Sequence, residues 1–297
     1  MFDLVIAVEG KYVNPSKVDW YTQNILDENL LISNAAKELG ISVTKVSWDD
    51  PNFDWKNAKA VLIRETWDYF HRISEFMEWV SKVEQESRLI NSAELIRWNQ
   101  DKHYLLDAQQ NGVEIVPTRY IEKGETASLK EIYESTSWST IILKPCISGA
   151  ARHTYKLNAR SVQEHEAIFR ELIVNESMMI QPFIESITEK GEISFILING
   201  KFEHAVLKKA KPGDFRVQDD WGGTLHDFTP SSDMIRLAQD VLLKAAPNAI
   251  YARVDMVWGD DDHLLLGELE LIEPELWFRR NPTAANNLAL RIKQLIY

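Results

Sequence analysis

The sequence predicts an α/β or α+β protein built in three parts, and three observations lead to that prediction. Strand and helix signals alternate through the first third of the chain, which is typical of a parallel sheet of the doubly wound type. From residue 177 onward apolar runs crowd together, which indicates neighbouring strands. A chain of 297 residues, 45% of them hydrophobic, can bury a large core and usually divides into two or three lobes.

In the first third, short apolar runs predict strands, and segments with apolar residues every three or four positions predict the helices between them. These elements are the strands 4–9, 42–48 and 60–64 and the helices 28–39 and 74–86. Gly40 is a typical helix stop, and Ser74 is a typical N-cap. No G-x-G-x-x-G follows the first strand, so the usual dinucleotide-binding fold is not predicted.

A boundary is predicted at 92–100, and the same signals continue beyond it. They predict helices at 102–110, 159–172, 233–244 and 283–295, and strands at 114–120, 140–144, 252–257 and 264–273. Within 195–209, Asn199-Gly200 stands between two apolar runs, which is the strongest short-range signal for a β-hairpin.

Composition excludes several classes of protein. The formal net charge is −12, and eight acidic residues with no lysine or arginine between 255 and 275 supply −8 of it, so a nucleic-acid-binding surface is not expected. The single cysteine, Cys146, excludes an internal disulfide and a cysteine-rich zinc site. No apolar run approaches the roughly 18 residues of a membrane span, and residues 1–8 lack a signal peptide's basic start. We therefore expect a cytoplasmic protein that binds neither nucleic acid nor membrane, with a homodimer among the open oligomeric states.

The most informative stretch is a predicted acidic hairpin. Side chains alternate between the faces of a strand, so Glu268 and Glu270 share one face. A two-residue turn at 261–262 places Asp255 opposite Glu268 and Arg253 opposite Glu270. Like charges that face each other destabilise a sheet, and a divalent cation with oxygen ligands, Mg²⁺ where phosphates bind, is the usual solution. The alternative is a solvated acidic face with one Arg–Glu pair.

Two further segments have features of phosphate-binding loops. Lys144 ends a predicted strand and precedes a loop of small residues at 148–151, which together can offer a charge and backbone N–H groups to phosphate. The loop 211–216 ends in Arg216 and precedes Gly222-Gly223, as expected of a cationic lid over an anion. Each segment alone also fits an ordinary surface loop.

A fourth segment has the properties of a binding site for a flat base. The apolar strand 179–184 can contact a base through its main chain, and Glu192 lies close behind it for ribose hydroxyls. An ordinary buried strand is the alternative.

In this chain order, the four segments resemble the ATP-grasp superfamily of carboxylate–amine ligases. G-D-F-R at 213–216, followed by G-G, is similar to the glutathione synthetase and ribosomal-protein glutamate ligase branch, as is the hinge 180–184. R-x-D and E-x-E are similar to the R-x-D and E-x-N of D-alanine–D-alanine ligases. A closer resemblance, to the cycloserine-synthetase-like group, rests on Trp48-Asp49-Asp50-Pro51, Arg64-Glu-Thr66-Trp67-Asp68-Tyr69, Arg97-Trp98-Asn99-Gln-Asp101-Lys102, Ala252-Arg253-Val-Asp255 and Glu268-Leu-Glu270-Leu-Ile-Glu273-Pro274.

The resemblance implies an ATP-grasp fold, in which an N-terminal Rossmann-like lobe (1–97) precedes a central lid lobe (98–184) and a C-terminal lobe with the metal site (185–297), the last two enclosing the nucleotide. It implies ATP and one or two Mg²⁺ ions, with Mn²⁺ as an alternative. The implied roles are phosphate binding by Lys102, Lys144, Ser148 and Gly149, adenine binding by Gln181, Phe183 and Ile184, ribose binding by Glu192, metal binding by Asp255, Glu268 and Glu270, and stabilisation of the phosphoryl group and the tetrahedral intermediate by Arg216 and Arg253. The single glycine of the phosphate loop and Glu270, where many relatives have Asn, depart from the pattern.

The implied reaction activates a small-molecule carboxylate as an acylphosphate, which an amine or aminooxy nitrogen attacks to give an amide or a cyclic amide with ADP and phosphate. Trp67, Asp68 and Tyr69 follow a strand end, where they suit an amino-acid-like substrate with an ammonium group. Packing between lobes is the alternative for this trio. A kinase that phosphorylates a hydroxyl and a non-catalytic nucleotide-binding module are the alternative functions.

Overall fold

A computed structural model describes residues 1–218 and 221–297, and its first sheet is parallel. The strand order is β2-β1-β3-β4, for β1 (Phe2–Val8), β2 (Val43–Ser47), β3 (Ala58–Ile63) and β4 (Arg88–Ile90). Helices α1 (Trp20–Glu38) and α2 (Ile73–Glu86) connect the strands. The run 4–8 is buried, as expected for a strand covered on both faces. We call this sheet and its helices the N-terminal lobe.

Helix α1 begins eight residues earlier than predicted. The carboxylate of Asp19 accepts a hydrogen bond from the Thr22 N–H at 2.8 Å and so caps the helix. Burial in α1 begins at Ile25, and Trp20 in its first turn is exposed. The first turn therefore has little apolar periodicity from which a helix can be predicted.

The second sheet is antiparallel and forms the central lobe. Its order is β5-β8-β6-β7, for β5 (Arg119–Ile121), β6 (Thr140–Pro145), β7 (Tyr155–Asn158) and β8 (Met178–Pro182). The helices from the boundary onward are α3 (Ala93–Asn99), α4 (Tyr104–Gln110), α5 (Leu129–Glu134), α6 (Ser161–Glu164) and α7 (Glu166–Ile173). Strand β7 and helices α3 and α5 were not predicted, and α6 and α7 were predicted as one helix.

The third sheet, also antiparallel, forms the C-terminal lobe. Its order is β11-β10-β9-β12-β13, for β9 (Glu192–Ile198), β10 (Lys201–Lys209), β11 (Thr224–Phe228), β12 (Tyr251–Trp258) and β13 (Leu264–Glu270). Helices α8 (Ser186–Glu189), α9 (Ser232–Ala245) and α10 (Pro282–Ile296) complete the described chain. The predicted hairpin at Asn199-Gly200 is confirmed, because both residues have positive φ and Ile198 pairs with Lys201.

The predicted turn of the acidic hairpin is wrong. The Gly259 N–H donates to the His263 carbonyl at 2.7 Å, so the loop contains the three residues 260–262 rather than two. Asp262 takes a left-handed φ of 66°, a conformation that aspartate tolerates better than most residues. This loop shifts the register of the adjoining strand ends by one residue, so that Trp258 faces Leu264.

A β-bulge at Gly267 cancels that shift. On the far side of the bulge, Asp255 faces Glu268 and Arg253 faces Glu270, as predicted. The predicted juxtaposition of charges is therefore confirmed, although two irregularities produce it rather than a regular hairpin.

Two segments pack against a lobe other than the one to which the predicted boundaries assign them. The buried face of α10 joins α1 and β1 in one core, so the end of the chain covers the N-terminal sheet. Residues 114–116 pair with β13 instead of extending β5, since Val116 N–H donates to the Leu266 carbonyl at 3.0 Å. The lobe boundaries themselves remain a prediction.

Two buried asparagines fix the strand that carries the acidic pair. The Asn99 side chain donates to the Leu269 carbonyl at 2.7 Å and accepts from the Leu271 N–H at 2.8 Å. Asn91 donates to the carbonyls of Leu271 and Tyr251, both at 2.9 Å. These bonds hold the end of β13 against α3 and β4. No helix in the described chain has the length and apolar character needed to span a bilayer.

Candidate active site

A cavity of about 820 Å³ lies where the three lobes meet. Its walls contain most of the residues that the sequence singles out. These residues are Trp67, Tyr69, Lys102, Lys144, Ser148, Gly149, Gln181, Ile184, Glu192, Arg216, Arg253, Asp255, Glu268 and Glu270. The side chains of Phe183 and Asp68 lie outside the cavity wall.

Basic side chains neutralise the three predicted metal ligands. Asp255 accepts from Lys208 Nζ and Arg253 Nη2, each at 2.9 Å. Glu270 pairs with the same arginine, and Glu268 lies 3.0 Å from Lys102 Nζ. Opposite charges at this distance offset the repulsion between neighbouring carboxylates.

Burial and pairing act in opposite directions on these acids. Burial raises the pKa of Asp255, but the charges of Arg253 and Lys208 outweigh it and hold that pKa well below its usual range. Burial raises the pKa of Glu270 to about 7 despite Arg253, and the charge of Glu268 adds to the rise. The three carboxylates therefore form a strongly coupled group.

This group fits a hard divalent cation by the chemistry of its donors. Carboxylate oxygens are the ligands that Mg²⁺ prefers, and all three line the cavity from facing positions on β12 and β13. One oxygen from each of the three does not lie within 4.8 Å of the other two. Within the described ranges, three ligand atoms come within 4.8 Å of one another at a different place, Asp101, His103 and Cys146.

Two lysines face the phosphate loop in different ways. Lys102 is buried, and its ammonium donates to the Ser148 carbonyl at 2.8 Å as well as pairing with Glu268. Lys144 makes no ion pair with any described residue. Burial lowers the pKa of Lys144, the charge of Glu268 opposes this, and Lys102 adds to it. Lys144 is therefore a partly buried cation that lacks a close counterion among the described residues.

The phosphate loop bends sharply although it contains one glycine. A Cβ at Gly149 would lie 2.6 Å from a ring carbon of Phe70, so glycine is required by close contact. Ala150, Ala151 and His153 all have left-handed φ values between 48° and 56°. Each costs about 1–2 kcal/mol relative to glycine, so the loop reaches its curvature at the expense of backbone strain.

The predicted adenine hinge enters the cavity through its main chain. The Phe183 N–H donates to the Thr140 carbonyl at 2.9 Å, so alternation directs the Pro182 carbonyl and the Ile184 N–H to the opposite edge. Strand β5 pairs only with residues 178–180 of that edge. The Phe183 ring, in contrast, packs under the Lys156 ammonium at 3.3 Å. The part of Phe183 in the adenine hinge, which was predicted for its main chain, stays a prediction.

Glu192 is tied to a lysine that the analysis of the sequence missed. Lys208 pairs with both Glu192 and Asp255 and is itself buried. Burial raises the pKa of Glu192 against the charge of Lys208. Lys208 could have been found from the sequence, because it lies two residues after Val206 on β10 and therefore shares its inward-facing side of the strand.

The predicted lid loop holds its arginine in a defined orientation. The Asp214 carboxylate accepts from Arg216 Nε at 3.0 Å and from its Nη2 at 2.9 Å. The guanidinium lies 3.5 Å from the centre of the Trp221 ring, and that indole donates to the Ala150 carbonyl at 3.3 Å. The lid thereby contacts the phosphate loop. Positions 219 and 220 of this loop lie outside the described residues.

Comparison with known proteins agrees with this arrangement. Residues 101–273 match the family described as the RimK-like ATP-grasp domain. The chain belongs to this family. The predicted ATP-grasp fold is confirmed, and this RimK-like protein is an ATP-dependent ligase. Residues 9–91 match the N-terminal domain of D-cycloserine synthetase DcsG.

Individual relatives extend the match over most of the chain. The cycloserine biosynthesis protein DcsG of Streptomyces lavendulae is 29% identical over 283 residues, which are 88% of this chain and 90% of that protein. The crystal structure of D-cycloserine synthetase DcsG has a TM-score of 0.84 at 22% identity and covers 99% of this chain and 100% of its own. A RimK domain protein from Sphaerobacter thermophilus has a TM-score of 0.69 at 12% identity, with 97% and 98% covered. At these identities, the two solved structures show that the fold is shared.

The N-terminal lobe of this RimK-like ligase closes the cavity with aromatic rings. The Trp67 ring lies 6.0 Å from both Tyr12 and Tyr21, and its indole N–H donates to the Glu273 carbonyl at 3.2 Å. Tyr69 reaches the cavity wall, although its ring also packs on Phe76 at 4.8 Å.

The prediction for Asp68 is corrected. Its carboxylate accepts from the Trp48 indole at 2.9 Å and from Arg72 Nη2 at 2.6 Å. Both oxygens are engaged away from the cavity, so Asp68 supports the loop rather than a ligand.

Glu273 is an acidic residue of the cavity that the predicted site lacks. No lysine, arginine or histidine in the described chain lies within 4.0 Å of its carboxylate. Burial raises its pKa to about 8, and the charge of Glu270 adds to the rise. The sequence could have indicated Glu273 as a site residue, because it lies in the motif Glu273-Pro274, three residues after Glu270.

Proposed function

We propose that this ligase activates the carboxylate of a small amino-acid-like molecule and joins it to an amine or aminooxy nitrogen. One observation carries the proposal. A single cavity joins two phosphate-facing lysines, a carboxylate set suited to Mg²⁺ and a wall of aromatic rings beside an unpaired Glu273.

At the nucleotide end, Lys102, Lys144 and the backbone of the phosphate loop bind the ATP phosphates. The Pro182 carbonyl and the Ile184 N–H contact the adenine edge, and Glu192 accepts from ribose hydroxyls. Asp255, Glu268 and Glu270 hold Mg²⁺, which supplies positive charge to phosphate oxygens when it is bound. One neighbouring structure, of the ATP-grasp ligase PsnB, contains Mg and ADP.

The reaction proceeds through positioning and charge neutralisation. A carboxylate oxygen of the substrate attacks the γ-phosphorus of ATP, and the bond to the β,γ-bridging oxygen breaks to release ADP. The nitrogen nucleophile then attacks the acyl carbon, and phosphate leaves while the nitrogen loses a proton. Arg216 and Arg253 stabilise the negative charge that develops on the phosphoryl group and on the tetrahedral oxygen.

At the substrate end, we place an ammonium group beside Glu273. An unpaired carboxylate attracts a cation, and the faces of Trp67, Tyr12 and Tyr21 add cation–π attraction. The similarity to DcsG favours an amino acid with a nitrogen-bearing side chain, which can close a ring on its own carboxylate.

The intermediate provides the test of the reaction class. O-Ureidoserine of either configuration and a panel of amino acids are incubated with the protein, ATP and Mg²⁺, with hydroxylamine as the trap. We expect substrate-dependent ADP release and a hydroxamate, because hydroxylamine attacks an acylphosphate. ADP release with a stable phosphate ester and no hydroxamate would establish a kinase instead.

For the ammonium site, we expect Glu273→Gln to raise the KM for the amino substrate about 10- to 100-fold, because a charge-assisted contact of about 1.5–3 kcal/mol is lost. The KM for ATP stays within a factor of about two to three. The measurement is initial-rate ADP formation with the active substrate and with its des-amino analogue. The variant Glu94→Gln, an exposed glutamate of α3, is the control. Equal discrimination against the des-amino analogue in wild type and Glu273→Gln would remove Glu273 from the substrate site.

A further inference from the structure

A second group of metal-ligating side chains lies on the other side of Lys102 from the cavity. Asp101 and His103 belong to the turn that precedes α4, and Cys146 follows β6. One oxygen, one ring nitrogen and the sulfur of these residues lie within 4.8 Å of one another. Glu122, which follows β5, contacts the same histidine from its other side.

Cys146 contributes a buried thiol that lacks a partner. Its residue surface is 1% exposed, and its sulfur makes no hydrogen bond to the part of the chain that the structure describes. Its backbone is fixed, because its N–H donates to the Ser177 carbonyl and its carbonyl accepts from the Lys102 N–H, both at 2.9 Å. Burial raises the pKa of the thiol, and the charges of Asp101 and Glu122 add to the rise. A bound cation reverses this effect on a thiol.

His103 is held in a fixed orientation at the centre of the group. Its Nδ1 lies 2.5 Å from Asp101 Oδ1, and its Nε2 lies 3.1 Å from Glu122 Oε1. The ring stacks on Tyr120 with centres 4.2 Å apart, and Ser177 donates to the second oxygen of Glu122 at 3.0 Å. Histidine ligands are commonly oriented by such outer contacts.

We propose that Asp101, His103 and Cys146 form a site for one Zn²⁺-type divalent cation, with water in the fourth position and Glu122 orienting the imidazole from its other side. Sulfur, nitrogen and oxygen together favour Zn²⁺ or Co²⁺, whereas Mg²⁺ takes oxygen ligands. The group carries two carboxylates and a thiol that becomes an anion on binding, so it offers enough negative charge for a dication. Binding releases the proton of the thiol, and that of the imidazole if it is charged, to solvent.

The position of the group couples this site to the nucleotide site. Lys102 lies between Asp101 and His103 in the chain, and its ammonium contacts Glu268 and the Ser148 carbonyl. A cation at Cys146 joins the start of α4 to the end of β6 beneath the phosphate loop, and His103 connects it to Glu122 after β5. Its occupancy is therefore expected to restrict the movement of Lys102.

Co²⁺ is the probe for this proposal, because a cobalt–thiolate bond produces a charge-transfer absorption in the near ultraviolet. The full-length protein is stripped with a chelator, supplied with excess Mg²⁺, and titrated with Co²⁺. We expect the band to saturate at one equivalent and to disappear when Zn²⁺ is added. Cys146→Ser is expected to lose the band, and His103→Gln to weaken Co²⁺ binding about 10-fold or more.

The control is His263→Gln, because His263 lies 3.7 Å from Asp261 in an exposed His–Asp pair that has no cysteine nearby. It should bind Co²⁺ as the wild type does. Circular dichroism checks that each variant is folded, and His103→Gln carries the test if Cys146→Ser is not. No charge-transfer band in the wild type, or wild-type affinity in His103→Gln, would overturn the proposal. Neither result bears on the ligase reaction, since the readout is not activity.

Discussion

Replacing Glu268 and Glu270 together by glutamine is expected to abolish substrate-dependent ADP formation while the protein stays folded. In the proposed metal site the two carboxylates supply oxygen ligands, and they face Asp255 and Arg253 across β12 and β13. Glutamine keeps their shape but removes two negative charges. Loss of a bound metal ion removes several kcal/mol of charge stabilisation, and about 4 kcal/mol corresponds to a rate loss of about 10³-fold.

The measurement is the initial rate of ADP release at saturating ATP and Mg²⁺, alongside thermal unfolding. Asp260→Asn with Asp261→Asn is the matched control, because it removes two charges from the exposed turn of the same hairpin. The control should retain wild-type turnover. If the Glu268/Glu270 variant kept its turnover, the metal assignment would be refuted.

Lys144→Met is expected to reduce ADP formation by about 10²-fold or more without lowering stability. Removing a fixed charge that stabilises a transition state typically has this effect on rate. The expectation for stability follows from the absence of an ion pair in the described chain. Burial without a close counterion disfavours a charged lysine, so methionine at this position should not lower the midpoint of thermal unfolding.

Lys102→Met provides the contrast. It leaves Glu268 without its counterion and the Ser148 carbonyl without its donor, so we expect a loss of about 1–3 kcal/mol in the free energy of unfolding. Lys201→Met, an exposed lysine of β10, is the neutral control. Denaturant unfolding and ADP release are measured on all three. A Lys144→Met variant with unchanged activity would remove Lys144 from the phosphate site.

The acidic hairpin illustrates how far a local pattern can be used. Alternation along β12 and β13 correctly predicts that Asp255 faces Glu268. The predicted turn had two residues, whereas the observed loop has three. The prediction also paired Gly267 regularly, whereas Gly267 is the extra residue of a β-bulge. The bulge at Gly267 restores the register because it adds one residue to β13, and beside it Glu114 and Val116 hydrogen-bond to Leu266, a contact between segments about 150 residues apart.

The side chains of Asp68 and Phe183 show the same limit of local patterns. Asp68 and Trp67 are neighbours in the chain, and nothing local distinguishes the one that lines the cavity from the one bound to Trp48 and Arg72. The Phe183 ring likewise lies outside the cavity wall, although alternation places it on the same face as Gln181, which lines the cavity. The direction of each side chain depends on the elements packed against it.

The single-glycine phosphate loop is a further case. Glycine usually supplies left-handed backbone, and its scarcity between residues 146 and 154 left the geometry of the loop in question. Alanine and histidine adopt that backbone here, and Arg152 anchors the loop through Glu176 and the Ile147 carbonyl. Long-range anchoring thus maintains a conformation that the local sequence disfavours.

The fold class, the ATP-grasp family and the chain order of the site could be predicted from the sequence, because periodicity and motif spacing are local properties. Which charges meet depends on how the lobes pack in three dimensions. Lys208 bridges Glu192 and Asp255, Glu273 faces the cavity without a basic partner among the described residues, and Cys146 lies beside His103. These contacts join residues tens of positions apart, and their energies depend on burial and distance, which a linear pattern does not contain.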